Sequence, residues 1–466
     1  MRFEESIIYQ FYPLGTCGAS EYNRWDNANT WNGAARPDEN RIGRLAGWIP
    51  HLKKLGVTAV YFSPVFQSDA HGYDTRDYYT IDGRLGSNED FAAVCRSLHE
   101  QHIAVILDGV FNHTGRGFWA FRDIQRNKRR SPYADWYTID WNGNSPFNDG
   151  FAYEGWEGCM DLVKLNLQNP AVIEHIFGAI RKWSELFGID GLRLDVAYSL
   201  DPSFLRKLNR FCKTLPSIFG DGSFALIGET IHSSDYALVR NDGCDSCTNY
   251  ELYKGVYSSL NDVNLFELAH SLNRQFGSGG VFRDKNLVTF TDNHDVSRFA
   301  SIINEKRRIA AGYALLFTMP GIPCLYYGSE WGVTGDKKNG DRTLRPALSV
   351  PEWNGLTDLI AKLIRIRRAH AAFTYGSYRT LCVTNGQLVF ERVHECPFSG
   401  KTERIVTAVN ITDTDVPLPV KSGSPGAHGV FEGLYGTFTD LSTGAPIHGS
   451  GPVQIPAFGF FILKQS

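Results

Sequence analysis

Short continuous apolar runs alternate with helically spaced apolar positions between Ile7 and His370. Strands of a parallel sheet are covered on both faces and therefore read as continuous apolar runs. Their alternation with helical patterns predicts repeated βα units. The predicted strands are residues 7–12, 57–62, 103–108, 191–195, 225–229, 245–250, 287–291 and 323–327, and the predicted helices include 42–55, 88–102, 170–187, one that opens at Asp201, and 353–370.

Two regions depart from this rhythm. Residues 113–165 are rich in Trp, Tyr, Gly, Asn and Pro, and a long insertion in a compact domain is usually functional. After Gly376 the chain shows short alternating runs separated by Gly, Pro, Ser and Asp, which is typical of an antiparallel β domain. We therefore predict an α/β fold: a (β/α)8 TIM barrel (1–112 and 166–375), an inserted B domain (113–165) and a C-terminal β-sandwich domain (376–466).

Four of the apolar runs end in a carboxylate: Asp108, Asp195, Glu229 and Asp295. Burying an unpaired charge costs several kcal/mol, so a buried strand should not end this way without a reason. In a β/α barrel the carboxyl ends of the strands converge on one open mouth. A helix N-cap explains any single one of these residues, but four together predict acid/base or nucleophilic chemistry, most simply on a sugar.

The neighbours of these carboxylates suggest different roles. Arg193 lies two residues before Asp195 and so shares its face of the strand, which favours the ionised carboxylate and makes Asp195 the candidate nucleophile. Glu229 follows an apolar run without an adjacent cation in sequence, so we expect it to be the acid/base. Asp295 beside His294, and Asp108 with His113, are candidates for holding sugar hydroxyls.

Composition narrows the function further. A net charge of −3 gives no electrostatic case for binding nucleic acid or an anionic membrane. The sequence contains no run of 18 apolar residues, so we expect no transmembrane helix. The nine scattered cysteines, an odd number in a long chain, favour free thiols in a reducing compartment, so we expect a cytoplasmic protein. We also expect that the protein needs no cofactor. Aromatic residues, at 13%, suit either a large core or sugar stacking.

The strand-end motifs, taken in order, resemble those of the α-amylase family, glycoside hydrolase family 13. The four matching segments are Asp108-Gly-Val-Phe-Asn-His113, Gly191-Leu-Arg-Leu-Asp-Val-Ala197, Gly228-Glu-Thr230 and Asn293-His-Asp295. Each is modest alone, but all four in order are specific. Four further segments are similar to the neopullulanase, cyclomaltodextrinase and maltogenic amylase group: Leu162 to Asn166, Asp195-Val-Ala197, Glu229-Thr-Ile-His232 and Tyr133 to Tyr137.

The resemblance implies a retaining mechanism. Asp195 would be the nucleophile, Glu229 the acid and then the base, and Asp295 the stabiliser of the transition state. The resemblance also implies substrate-binding residues: His113, Arg193 and His294 around the cleaved sugar, Tyr73 stacked on it, and the pair Asp341 and Arg345 at the neighbouring donor-side subsite, with Asp108 in support.

Three departures from the group also shape our expectations. The first predicted barrel strand begins at residue 7, so we do not expect the group's extra N-terminal β domain, which helps to form dimers, and we expect a monomer or a weak homo-oligomer. Tyr198-Ser199 replaces the group's Asn-Glu and can alter the acceptor side. Ser199 also stands where calcium-dependent amylases have a histidine, which leaves Asn112 as one candidate ligand, and we do not expect a structural calcium.

The sequence therefore predicts a retaining hydrolase of α-1,4 and also α-1,6 glucosidic bonds in maltooligosaccharides, cyclodextrins or related α-glucans, able to transfer the sugar to another sugar. An exo-acting α-glucosidase or a glucanotransferase is the alternative enzyme. The alternative without catalysis is an inactive amylase-like binding protein, against which the intact set Asp195, Glu229 and Asp295 argues.

Overall fold

A ring of eight parallel strands forms the centre of the protein. The computed structural model describes residues 2–23, 40–220, 222–418, 437–448 and 453–465. In chain order the barrel strands are β1 (Ile8–Phe11), β2 (Ala59–Phe62), β3 (Ala104–Gly109), β4 (Gly191–Leu194), β5 (Ala225–Gly228), β6 (Ser246–Cys247), β7 (Val288–Phe290) and β8 (Ile322–Tyr326).

The neighbours in this ring follow the chain. Pairing runs β6-β5-β4-β3-β2-β1-β8-β7, and every pair is parallel. The remaining junction, between β6 and β7, is closed by one isolated bridge between Thr248 and Val288. The predicted (β/α)8 barrel is confirmed, and the carboxyl ends of its strands meet on one face.

Side chains alternate between two cores along each strand. Ile8, Tyr61 and Ile106 lie in the cluster that fills the barrel, whereas Tyr9 and Phe62 pack outward against the helices. This two-residue period is the geometry of a strand. It explains why the strands read as unbroken apolar runs.

Helices cover the outside of the ring, and two of those that follow lie elsewhere: Trp119–Asn127 in the inserted segment and Ala372–Tyr375 against the C-terminal sheet. The helix bounds are Pro13–Thr16, Ile49–Leu55, Asn88–His99, Trp119–Asn127, Pro170–Phe187, Pro202–Cys212, Tyr250–Asp262, Leu265–Phe276, Phe299–Ile302, Ile309–Thr318, Gly355–Ala369 and Ala372–Tyr375. Local signals set several ends: Asp201 accepts hydrogen bonds from Ser203 N and Phe204 N as an N-cap. Gly56, at φ +98°, ends the helix that starts at Ile49.

Two elements are shorter than the sequence predicts. The predicted helix 42–55 is a 3-10 helix from Ile42 to Trp48 and becomes an α-helix only from Ile49. Strand β6 spans two residues, not six, because Asn249 caps the next helix by accepting a hydrogen bond from Leu252 N. That cap ends the extended chain just past the barrel layer.

The inserted segment forms its own small sheets. Strands His113–Gly115, Gly155–Trp156 and Cys159–Lys164 pair in antiparallel fashion, and Ile139–Asp140 pairs with Ala152–Tyr153. The segment carries Trp156 and Glu157 to the mouth of the barrel. The domain boundaries that we assign to it remain a prediction.

The C-terminal part contains the predicted antiparallel sheet. Its strands are Ser377–Val383, Gln387–Glu395, Thr402–Asn410, Phe460–Gln465, Thr437–Asp440 and Pro446–His448, in that spatial order. Leu388 and Phe390 face the barrel helices, and Val389 between them faces a second apolar cluster. Residues 419–436 and 449–452 of the predicted C-terminal domain lie outside the described residues. Among the helices in the described ranges, none is both long and apolar enough to cross a membrane.

Candidate active site

Arg193 lies at the centre of the strand-end carboxylates. Register places it on β4 opposite Asp108 of β3 and opposite Ile227 of β5. Its Nη1 donates to both carboxylate oxygens of Asp108, at 2.8 and 2.9 Å, and to Oδ1 of Asp195 at 3.0 Å. Because side chains alternate, Asp195 and Glu229 stand one layer above Arg193 and Ile227, nearer the mouth.

The same guanidinium also contacts Glu229. Its Nη2 pairs with Oε1 of Glu229, so our expectation that Glu229 lacks an adjacent cation is wrong. The sequence shows neighbours along one strand, whereas this cation comes from the next strand in the ring. One buried cation therefore serves three carboxylates from three strands.

A strained backbone residue fixes the other oxygen of Glu229. Val196 has φ +40° and ψ +50°, the left-handed region that a β-branched residue rarely adopts. Its N–H donates to Oε2 of Glu229 at 2.9 Å. Strain of this kind persists only where surrounding contacts impose it, and it occurs at functional sites. Both carboxylate oxygens of Glu229 are thus held before any substrate is present.

Asp195 is held in a buried and strongly charged setting. Burial raises its pKa well above the usual value, Arg193 opposes that rise, and the charges of Glu229, Asp108 and Asp295 add to it. The guanidinium of Arg193 thus favours the ionised carboxylate of Asp195, as we expect from the sequence, but burial outweighs it in the absence of substrate.

His113 approaches Asp195 from the inserted segment. Its Nε2 lies 3.8 Å from Oδ2 of Asp195, and its Nδ1 lies 3.2 Å from the side-chain nitrogen of Asn112. Burial, helped by the charge of His71, lowers the pKa of His113 to about 3. The ring is therefore neutral at working pH. Its Nε2 is buried without a hydrogen-bond partner among the described residues, which leaves it free to meet a ligand hydroxyl.

Asp108 is engaged from several sides. Tyr61 OH donates to its Oδ2 at 2.6 Å and Tyr73 OH at 3.1 Å, in addition to the bonds from Arg193. Tyr73 OH also contacts Nε2 of His294. The rings of Tyr73 and His294 are stacked at 5.5 Å, and Tyr12 stacks on His294 from the other direction at 6.0 Å.

The third candidate, Asp295, is paired on both sides. His294 Nε2 lies 2.9 Å from its Oδ2, and Arg345 Nη2 donates to its Oδ1 at 2.9 Å. Burial alone would raise the pKa of Asp295, but His294, Arg345 and Arg193 outweigh it and hold that pKa far below the usual value. With 37% of its side chain exposed, Asp295 presents a permanent negative charge at the mouth.

Asp341 lies at the outer end of the site. Its Oδ2 accepts from Arg345 Nη2 at 3.4 Å, and its Oδ1 accepts from Lys337 Nζ at 2.5 Å. Through Arg345 it is connected to Asp295. Contacts thus link all ten residues that the sequence singles out: Tyr73, Asp108, His113, Arg193, Asp195, Glu229, His294, Asp295, Asp341 and Arg345.

Several residues of the site are missing from the sequence-based set. Gln10 Nε2 contacts His294 Nδ1 at 2.9 Å, and Tyr250 OH accepts from Asn293 Nδ2 at 2.9 Å. The sequence could have identified Gln10 as a candidate site residue, because it is an amide in an otherwise apolar strand. Trp156, whose ring lies 5.9 Å from that of His113, gave no such signal. Beside it, Glu157 accepts from Tyr198 OH at 3.0 Å.

A cavity opens above the barrel core at this point. Its polar wall includes Gln10, Tyr61, Arg193, Glu229 and His294, and its floor is apolar. Of the clustered carboxylates, Glu229 lines this cavity. Carboxylates gathered in this way are suited to cleaving a bond by acid and nucleophile together. Within the described part of the chain, no three His, Cys, Asp or Glu side chains are grouped to hold a metal ion.

Comparison with known proteins gives consistent matches. Residues 32–349 match the family description "Alpha amylase, catalytic domain". A cyclomaltodextrinase from Bacillus sp is 33% identical over 400 residues, covering 81% of this chain and 68% of that protein. Neopullulanase 2 from Thermoactinomyces vulgaris is 33% identical over 394 residues, covering 81% and 65%. A solved cyclomaltodextrinase structure superposes with a TM-score of 0.79 at 26% identity, covering 99% of this chain and 78% of that one.

Proposed function

This chain belongs to the α-amylase family, and from that premise we propose that it cleaves α-1,4 and also α-1,6 glucosidic bonds in maltooligosaccharides, cyclodextrins or related α-glucans with retention of configuration. One observation carries the proposal: a single guanidinium, that of Arg193, gathers Asp108, Asp195 and Glu229 from three strands. Names of the relatives, cyclomaltodextrinase and neopullulanase, support the substrate class.

In the first half-reaction Glu229 is the acid and Asp195 the nucleophile. Glu229 gives its proton to the glycosidic oxygen while a carboxylate oxygen of Asp195 attacks the anomeric carbon. The bond between that carbon and the glycosidic oxygen breaks, and a glycosyl ester of Asp195 forms. Arg193 stabilises the carboxylate that Glu229 becomes, since it already contacts Oε1 of that residue.

In the second half-reaction Glu229 becomes the base. It takes a proton from water, the water oxygen attacks the anomeric carbon, and Asp195 leaves as a carboxylate. A sugar hydroxyl in place of water gives transfer instead of hydrolysis. Asp295, held ionised by His294 and Arg345, stabilises the positive charge that develops on the ring in both transition states.

Replacement of the two carboxyls tests these roles. We expect Asp195→Asn and Glu229→Gln each to lower kcat on maltohexaose by roughly 10³-fold or more. Glu229→Gln should retain the first step on an aryl α-maltoside, because its leaving group needs no proton. Glu185→Gln, which removes an exposed carboxylate from the helix Pro170–Phe187, is the matched control. Full activity in either site variant contradicts the assignment.

Product analysis tests the substrate class. We expect the enzyme to open cyclodextrin, to cleave pullulan and to release maltose together with glucose from maltotriose. Failure to convert cyclodextrin and pullulan, combined with stepwise release of glucose from maltotriose, would instead favour the exo-acting α-glucosidase.

A cytoplasmic location is part of the proposal. All nine cysteines are free, and seven of them are buried, which suits a reducing compartment. We expect the same activity with and without dithiothreitol. A disulfide found by mass spectrometry in the protein isolated from its own cells would contradict this location.

A further inference from the structure

A second cavity lies away from the barrel mouth, where the barrel meets the C-terminal sheet. Its volume is about 230 Å³. It is bounded by the loop 283–286, by the turn around Gly376 and by Tyr378 and Arg392 of the C-terminal sheet. Three of its lining residues are cationic, Arg283, Lys285 and Arg392, and one, Asp284, is acidic.

Arg392 brings an unpaired charge to this cavity. It is 1% exposed, and its three hydrogen bonds go to the backbone carbonyls of Ser377, Thr318 and Gly376. Within the described residues no carboxylate pairs with it. A buried guanidinium without a counter-ion is costly. Burial, together with the positive charge of Arg367, lowers the pKa of Arg392 to about 9.

The neighbouring Arg367 is in the same situation. It is buried and bonds only to backbone carbonyls, those of Phe317, Met319, Gly321 and Phe373. Several of these carbonyls lie at or just past the end of the helix Ile309–Thr318, whose dipole favours a cation. The carbonyls at the end of this helix therefore stabilise part of the buried charge of Arg367 and Arg392. They do not stabilise the two further cations that line the same cavity.

Arg283 and Lys285 are those further cations. Both are exposed on the rim, and neither forms an ion pair with a residue that the structure describes. Like charges gathered without a partner repel one another, and they do so more strongly beside a buried charge where the dielectric is low. A cavity with three cationic groups and one carboxylate has the charge pattern of an anion site.

We propose that this cavity binds an oxyanion of phosphate type, held by Arg392 from inside and by Arg283 and Lys285 from the rim. Guanidinium N–H groups match the oxygen geometry of phosphate. Asn286 and Thr374, which also line the cavity, supply further polar contacts. An adjoining cavity of about 550 Å³ shares Arg283 and is also lined by His270 and by the ion pair of Arg379 with Glu391. This polar space leaves room for the sugar of a sugar phosphate, whose phosphate would take the same place as inorganic phosphate.

Calorimetric titration of the full chain at constant ionic strength tests the proposal. We expect saturable binding of inorganic phosphate and a rise in Tm with phosphate that chloride does not reproduce. In the double variant Arg283→Ala/Lys285→Ala the dissociation constant should rise at least about 10-fold. Lys207→Ala, which removes an exposed cation from a distant helix, should bind phosphate as the wild type does.

A second measurement separates ligand binding from a purely structural role. In phosphate-free buffer the double variant should unfold at the wild-type temperature or above it, because two repelling charges are gone. Glucose 6-phosphate distinguishes the sources: tighter binding than inorganic phosphate indicates a sugar phosphate, and equal or weaker binding indicates the free ion. Absence of saturable binding to the wild type, or equal affinity in the double variant, overturns the proposal.

Discussion

The guanidinium of Arg193 carries the charge balance of the barrel mouth, because it contacts Asp108, Asp195 and Glu229 while almost fully buried. Without it, three buried carboxyls would face one another. Asp295 lies outside this group and pairs with the guanidinium of Arg345 instead. The two sets differ in their effect on pKa: burial raises the pKa of Asp195, whereas the pKa of Asp295 is held far below its usual value.

Removal of Arg193 should therefore cost stability in a pH-dependent way. We expect Arg193→Ala to lower the free energy of unfolding at pH 7 by about 3–5 kcal/mol, the usual cost of breaking a buried ion pair. Burial already raises the pKa of Asp195, and loss of the cation raises it further. A raised folded-state pKa gives stability that is present at low pH and lost as the pH rises.

The deficit of Arg193→Ala relative to the wild type should thus shrink between pH 7.5 and pH 4.5 in urea unfolding. The matched control is Arg367→Ala, another buried arginine, which bonds to backbone carbonyls. Its deficit should stay constant over that range. A deficit of Arg193→Ala that grows on acidification would contradict the charge account.

Gln10 should position His294. Its side-chain nitrogen faces Nδ1 of His294, so that Nδ1 accepts a hydrogen bond and Nε2 carries the proton toward Asp295. We expect Gln10→Leu to lower kcat/KM about 10-fold, the equivalent of one lost hydrogen bond of about 1.4 kcal/mol. Ser63→Ala removes only the other partner of that nitrogen and should leave kcat/KM unchanged. Equal losses in both variants would exclude a role through His294.

Among the secondary-structure elements, the strand Gly155–Trp156 and the 3-10 turn Ala197–Ser199 meet beside the site. Tyr198 OH, from the 3-10 turn, donates a hydrogen bond to Glu157, the residue after the strand, at 3.0 Å. The contact links the inserted segment to the loop that follows the nucleophile strand. Since Tyr198 follows the nucleophile strand and Trp156 packs beside His113, we expect this contact to border the acceptor side of the site.

Tyr198→Phe should therefore weaken binding of sugars on the leaving side. For maltohexaose we expect KM to rise roughly 3- to 10-fold with little change in kcat, because a partly exposed hydrogen bond contributes about 1 kcal/mol. An aryl α-maltoside has no sugar beyond the cleaved bond and should be converted at the wild-type KM. An equal rise for both substrates would place the effect elsewhere.

The elements also show what the sequence can predict. Most strand positions were predicted correctly, because burial on both faces produces short apolar runs bounded by turn residues. Asp201 also marked the start of its helix correctly. Neighbours along one strand, such as Arg193 and Asp195, were visible from their spacing of two. Contacts between strands were not: the pairing of Arg193 with Glu229 depends on which strands are adjacent and in what register. Strand β6 was overestimated because the cap at Asn249 gives no apolar signal.

At the scale of the whole molecule, the largest apolar cluster of the described residues extends from the barrel helices to the C-terminal sheet. Phe390 and Ile405 of the sheet belong to the same cluster as the barrel helices. Arg308 strengthens the junction by donating to Leu260 O at 2.7 Å and to Ile411 O at 2.9 Å. Two parts that share a core should not melt separately.

We therefore expect a single calorimetric transition whose van't Hoff enthalpy matches the measured enthalpy. Phe390→Ala, which opens a cavity in the shared core, should destabilise the whole chain by about 3–5 kcal/mol and leave one transition. Phe398→Ala is the control, because its side chain is 98% exposed. Two resolved transitions, with only one shifted by Phe390→Ala, would show independent folding units.

The ring of strands has one thin seam, between β6 and β7, where Thr248 and Val288 form a single bridge. Every other junction pairs at least two residues. Amide hydrogens along this seam should be the first in the barrel to exchange with deuterium, since opening there breaks the fewest bonds. The seam also marks where a chain cut into two fragments, before and after the loop 277–287, has the best prospect of reassembling into an active barrel.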